Sequence, residues 1–334
     1  MPRAICTLLA AVLLLAAGEA RAADPVRIRI GWVVTPPELQ PVLFARPEVT
    51  RHLGKSYAME PVHFKSTPVM LTALAAGEID IAALTFASFG TAIVNARMND
   101  LRIIADEFQD GVEGYFTEPY LVRRDSGINS VADLKGKVIA TNGIGSGVDM
   151  AMRAMLRRHH LEDRRDYSVV EVQFPNMKAV LMERKVDLIV VPAAFAYDPE
   201  LDEAVRVLFT QREAMGPTQF ALWTARTSFL DKNRGAVVDF LEDALRALHW
   251  YLKPANHAAA VGIVADFTHL PQARFDGWLL TPKDQYRDPE GLPNLTALQA
   301  NLNTQHKLGF LKTTVEVGDY VDLSLVKEAA ERLR

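Results

Sequence analysis

Apolar and charged positions alternate along Val26-Arg27-Ile28-Arg29-Ile30, the period of a strand with one face buried. Tyr57 to Phe64 repeats the alternation. The period then changes. Ser66-Thr67-Pro68 offers a hydroxyl N-cap with proline at the first helical position, and Val69 to Ala76 reads as a helix closed by Gly77. Asp80 to Leu84 and Leu101 to Ala105 are short apolar strands. A second series begins at Tyr120-Leu121-Val122 and continues at Val138 to Thr141, entered through Asp133-Leu134-Lys135-Gly136-Lys137. Gly143-Ile144-Gly145-Ser146-Gly147 is a glycine-rich turn opening a helix that carries Val148, Met152, Met155 and Leu156 on one stripe. Strands at Val169 to Phe174 and Asp187 to Val191 flank a helix from Met177 to Arg184. Gln219 to Thr224 is a further strand, and a long helix from Ser228 to Leu252 sets Val237, Leu241, Leu245 and Leu248 on one face. Beyond Pro254 the pattern is helical, interrupted by the proline- and aspartate-rich loop Thr281 to Pro293. Short apolar strands alternating with helices build an α/β fold.

The two series echo each other. Ala76-Gly77-Glu78-Ile79-Asp80-Ile81-Ala82-Ala83 can be laid over Arg184-Lys185-Val186-Asp187-Leu188-Ile189-Val190. Each is a helix end, a tight turn and an Asp-led apolar strand, which suggests two similar lobes. No low-complexity linker separates independent domains.

Composition narrows the function classes. The 334 residues are 49% hydrophobic and 23% charged, which excludes disordered and collagen-like chains. A formal net charge of −4 supplies no basic field for nucleic acid. The single cysteine, Cys6, excludes a disulfide framework and a cysteine-rich metal site. Residues 1–22 read as a cleavable signal peptide: Arg3 is the positive end, Ala4 to Ala17 the apolar run, and Ala20-Arg21-Ala22 the small-x-small cleavage pattern. The mature chain is therefore expected in the periplasm.

Asp125-Ser126-Gly127-Ile128, Val131-Ala132-Asp133-Leu134-Lys135-Gly136-Lys137-Val138 and Gly145-Ser146 opening a helix together resemble the substrate-binding proteins of nitrate/sulfonate/taurine-type ABC importers. Pro68 to Asp80, Gly309-Phe310 and Asp319 to Ala330 extend the likeness over almost the whole mature chain. The resemblance implies a type II periplasmic binding fold. Its two α/β lobes would comprise residues 24–113 with 216–334, and 114–215, with a ligand cleft between them. It also implies a monomer that closes by hinge motion on a small-molecule ligand and delivers it to an inner-membrane permease.

Two helix starts are candidates to face that cleft. Gly145, Ser146 and Gly147 follow a strand, so free N–H groups and the positive helix end would point at a ligand; the alternative is a plain βα turn capped by Ser146. Ser66 and Thr67 form the matching start in lobe one, where capping alone also accounts for them. Thr85, Phe86 and Ser88 stand where the family carries a glycine-x-x-proline turn. Pro192, Ala193 and Phe195 follow the second-lobe strand at Val191; Phe86 and Phe195 are either pocket walls or core. Trp32 and Glu38 lie in the first loop, and Gln219 begins the returning strand. Lys65 and Arg226 are the nearest candidate cations, and Tyr115 to Glu118 adds aromatic surface near the first crossing. Two converging helix N-termini favour an organic anion such as a sulfonate or carboxylate. Glu38 in the cleft would favour an amine or a heterocycle such as a pyrimidine instead.

Neither a dinucleotide fingerprint nor a phosphate loop fits the glycine turn, and no cofactor or metal is expected. An enzyme of related fold is an alternative, but the chain lacks a Gly-x-Ser-x-Gly elbow, and His159-His160 cannot both face one ion from a helix. A periplasmic sensor module is the other.

Overall fold

A computed structural model describes residues 24–334, so the export signal read from residues 1–22 lies outside the described residues. Among the described residues, ten strands form two groups. The first sheet contains β1 (Val26–Trp32), β2 (Tyr57–His63), β3 (Ile81–Thr85), β4 (Leu101–Asp110) and, from much later in the chain, β10 (Thr218–Arg226). Its order is β2-β1-β3-β10-β4, with β1 parallel to both neighbours and β10 antiparallel to β3 and β4. The second group holds β5 (Pro119–Arg123), β6 (Val138–Thr141), β7 (Ser168–Glu171), β8 (Ile189–Val190) and β9 (Val205–Thr210). β8-β5-β9 are antiparallel, β6 pairs β7 in parallel, and an Ile139–Leu188 bridge joins the two pieces. The chain thus crosses between lobes after β4 and again before β10. This is the type II periplasmic binding fold.

The echo between the series is a structural equivalence. Gly77 and Arg184 both end a helix at positive φ, 74° and 59°. Asp80 and Asp187 then accept the backbone N–H of Arg29 and Val138 at 2.9 and 3.0 Å, each tying its strand to a parallel neighbour. The long helix Thr227–Tyr251 packs on the first sheet through Val237, Leu241 and Leu245, which are buried as the periodicity requires.

Several elements sharpen or depart from the sequence reading. The helix between β3 and β4, Phe86–Val94, begins at once after β3, because Thr85 caps it by accepting Ser88 N–H. The helix after Ser66 starts at Thr67 with Pro68 second, and the Ser66 hydroxyl makes no capping bond. β9 went unread, since the helix Pro199–Ala204 runs directly into it with no glycine or proline between them.

Candidate functional site

The C-terminal end of β1 turns into the crevice between the lobes, where open α/β sheets place their ligands. A small cavity of about 30 Å³ lies there. Lobe one lines it with Val33, Val34, Pro37, Glu38, Thr67, Thr85, Phe108 and Phe220, and lobe two with Glu118, Asn142, Ser146, Gly147, Val148 and Phe174.

The lobes meet closely. A Cβ on Gly143 would stand 2.6 Å from the Cβ of Ser66, and one on Gly147 would stand 3.1 Å from the Phe220 ring and from Thr85. Only glycine allows the first approach, and a Cβ at the second would crowd Phe220 and Thr85. The hydroxyls of Thr67 and Ser88 are 2.8 Å apart, and those of Thr67 and Thr85 3.3 Å, so the two lobe-one helix starts share one hydroxyl cluster. Ser146 accepts the Asp149 N–H and donates to Asn142 Oδ1 at 2.9 Å.

Two donors at the glycine turn are taken by carboxylates of the chain. Gly145 N–H donates to Asp149 Oδ2 and Ile144 N–H to Glu171 Oε1, both at 2.8 Å. Carboxylates of the chain itself thus sit where an incoming anion would bind.

Acid dominates the cavity. Glu38 is 4% exposed and accepts the Val33 N–H; burial pushes its carboxyl up to about 8 against the pull of the Val33 and Val34 N–H groups. Glu118 is 2% exposed, and its Oε2 is buried without a hydrogen-bond partner. Burial, with Asp110 and Glu38 nearby, drives its carboxyl well above the usual range. Asp110 stands behind it, holding Thr117 Oγ1 at 2.6 Å and Glu118 N–H at 2.9 Å, and burial raises it to about 6. None of the described lining residues is Lys or Arg. Lys65 is exposed, and Arg226 pairs with Asp100 beside the N-terminal end of β1, at the opposite pole of the sheet.

The residues singled out from sequence therefore divide into groups. Glu38, Thr67, Thr85, Ser146 and Gly147 line the cavity. Ser66, Ser88 and Gly145 stand immediately behind it, with Ser88 Oγ 3.5 Å from Gly145 O across the lobes. Trp32 and Phe195 line an adjoining outer chamber. Pro192 and Ala193 are buried at the start of a short helix and line neither space. Phe86 is fully buried, edge-on to Phe220 at 6.4 Å, and belongs to the core. Gln219 is structural: it donates to Asp106 Oδ1 at 2.6 Å and accepts Asn294 N–H at 2.6 Å, tying β10 to the loop before the helix Leu295–Lys307. Asn142, Phe108 and Phe220 were missed, and Glu118 was named only as the end of the aromatic stretch Tyr115 to Glu118. Glu118 had a signal: a charge entering the apolar strand β5 at the interlobe crossing.

A family model described as the NMT1-like family matches residues 21–265. The fold is shared with the alkanesulfonate-binding protein SsuA from Xanthomonas axonopodis pv. citri bound to MOPS, at 22% identity and TM-score 0.71, over 91% of this chain and 100% of that one. It is shared equally with the periplasmic nitrate-binding protein NrtA from Synechocystis PCC 6803, at 15% identity and TM-score 0.70, over 93% and 89% of the two chains. The desulfurization enzyme DSZB also has it, at 13% identity and TM-score 0.65, over 92% of this chain and 100% of that one. No curated protein matches the sequence. On the family match, which spans most of its length, the chain belongs to the NMT1-like family.

Proposed function

We propose that this protein is the periplasmic solute-binding component of an ABC-type importer, with lobes formed by residues 24–113 plus 216–334 and by 114–215. It closes on a small molecule that presents hydrogen-bond donors, an amine or an amino-substituted heterocycle. One observation carries the ligand class: Glu38 and Glu118 face a cavity with no lysine or arginine among its described lining residues, and one Glu118 oxygen lacks a partner. A buried carboxylate without a donor is costly, and a bound donor, cationic above all, removes that cost. The sulfonate- and nitrate-binding proteins that share the fold support the transport role but do not fix the cargo. Closure then follows from differential affinity. The ligand bridges Glu38 in one lobe and Glu118 in the other, and so favours the arrangement in which both face one cavity.

The test is a thermal-shift panel on protein unfolded and refolded to strip endogenous ligand, with amines and aminoheterocycles set against alkanesulfonates, nitrate and aromatic carboxylates. A ligand at about 100 times its Kd stabilises by about 2.7 kcal/mol, a shift of a few degrees. Amines are expected to shift the melt, and more at pH 8 than at pH 6. A panel in which only anions register, more strongly at low pH, would show protonated carboxyls acting as donors and overturn the ligand class.

A further inference from the structure

The inner cavity has space for two or three water-sized groups at about 10–15 Å³ each, too little for a whole metabolite. Val33 and Val34 line it on one side and, on the other, a solvent-open chamber of about 370 Å³. That chamber is aromatic and drawn from both lobes. Trp32 and His63 come from the ends of β1 and β2, Phe267 and Leu270 from around the end of the helix His257–Thr268, and Pro175 and Phe195 from lobe two. Trp32 stands 4.5 Å from the His63 ring and 5.7 Å edge-on from Phe267. Phe267 and Leu270 remain 40% and 41% exposed at the rim. Large apolar side chains left in water around a concave space mark a binding surface.

Resting on the donor-ligand reading above, we propose that the ligand has two parts. A single amino-type head enters the inner cavity between Glu38 and Glu118, and a flat apolar or aromatic body fills the outer chamber against Trp32 and Phe195. The two valines hold the neck between them. Charge on the head selects against anions, and the ring wall selects against small aliphatic amines of the same charge. Neither part alone satisfies both compartments.

Calorimetric titration with benzylamine, methylamine and phenylacetate separates the parts. Benzylamine is expected to bind about tenfold or more tightly than methylamine, because only it buries a ring against the wall. Trp32→Ala should erase that ratio and Trp32→Phe keep most of it. Phe195→Ala, from the opposite lobe, reduces it independently should Trp32→Ala fold poorly. Equal affinity for benzylamine and methylamine, or a ratio untouched by both alanine variants, overturns the two-part ligand while the donor reading stands. Phenylacetate binding more tightly than benzylamine overturns the donor reading itself. Absence of benzylamine binding at about 10 mM, a barely measurable affinity, overturns the two-part proposal outright.

Discussion

Gly143→Ala is expected to weaken ligand binding without weakening the fold. In the closed molecule the new Cβ would lie 2.6 Å from Ser66 Cβ and 2.7 Å from its hydroxyl, where ordinary contact begins at 3.4 Å. Rotating the Ser66 side chain moves the hydroxyl but not its Cβ, so the two backbones must part by about 0.8 Å. Gly143 is not at positive φ, so alanine is unstrained within lobe two, and the penalty falls on the closed state alone. Overpacking of this kind costs about 1–3 kcal/mol. Because only the closed state holds ligand, apparent affinity should fall about 5- to 150-fold. The assay is calorimetric titration of wild type and variant with the best amine of the panel, beside thermal melts of both without ligand. Ser66→Gly removes the opposing Cβ, so the double variant Ser66→Gly/Gly143→Ala should recover most of the loss, a coupling that a double-mutant cycle reads directly. Unchanged affinity in Gly143→Ala, or no recovery in the double variant, would refute closure along this edge.

Three further outcomes follow from the buried charges. Glu38, Asp106 and Asp110 have carboxyls raised by burial to about 8, 7 and 6, so the folded chain holds protons that the unfolded chain releases near pH 4. Stability without ligand should therefore fall as pH rises from about 5 to 8, by up to 1.4 kcal/mol per unit for each group titrating, as urea unfolding would show. A flat profile would contradict it. Glu118→Gln should leave or raise the melting temperature, since it removes a buried acid with an unpartnered oxygen, yet weaken amine binding by about 30-fold or more. Loss of stability with retained affinity would remove Glu118 from the site. Asp243→Ala should cost about 3 kcal/mol or more in urea unfolding, because that fully buried carboxylate holds the N–H groups of Arg51, His52 and Leu53 and the Tyr57 hydroxyl.

The architecture was legible where period and punctuation agree. Alternation over Val26 to Ile30, the Gly77 stop and the Val237-Leu241-Leu245 stripe each correspond to an element whose burial follows the pattern. The Asp80 and Asp187 echo was legible because both aspartates do the same work, closing the start of a strand onto its parallel neighbour. β9 was not, because apolar Leu208 breaks the alternation of Val205, Arg206, Val207 and Phe209, and no turn residue separates the strand from the helix before it. Phe86 and Gln219 were named for lying beside cleft loops. Register decides otherwise: a residue one position along a strand or helix start faces the opposite side. Phe86 turns into the core and Gln219 toward Asp106.

Charge in the cleft was the least legible property, and the reason is physical. A helix N-terminus attracts anions, so the Gly145-Ser146-Gly147 turn reads as an anion cradle from sequence. The same attraction draws carboxylates from within the chain, and four residues along the helix Asp149 returns to the Gly145 N–H while Glu171 reaches Ile144. Arg153 then neutralises Asp149 at 2.9 Å, so the Ile144 and Gly145 N–H groups are occupied before any ligand arrives. The carboxyls at the cavity come from segments far apart in sequence. Glu38 follows β1, and Glu118 enters β5 after the crossing, with Asp110 at the end of β4 behind it. Only folding brings these carboxyls together. A donor-bearing ligand relieves that convergence, whereas an anion binds only if the carboxyls keep their protons, which makes the pH dependence of binding opposite in sign for the two ligand classes.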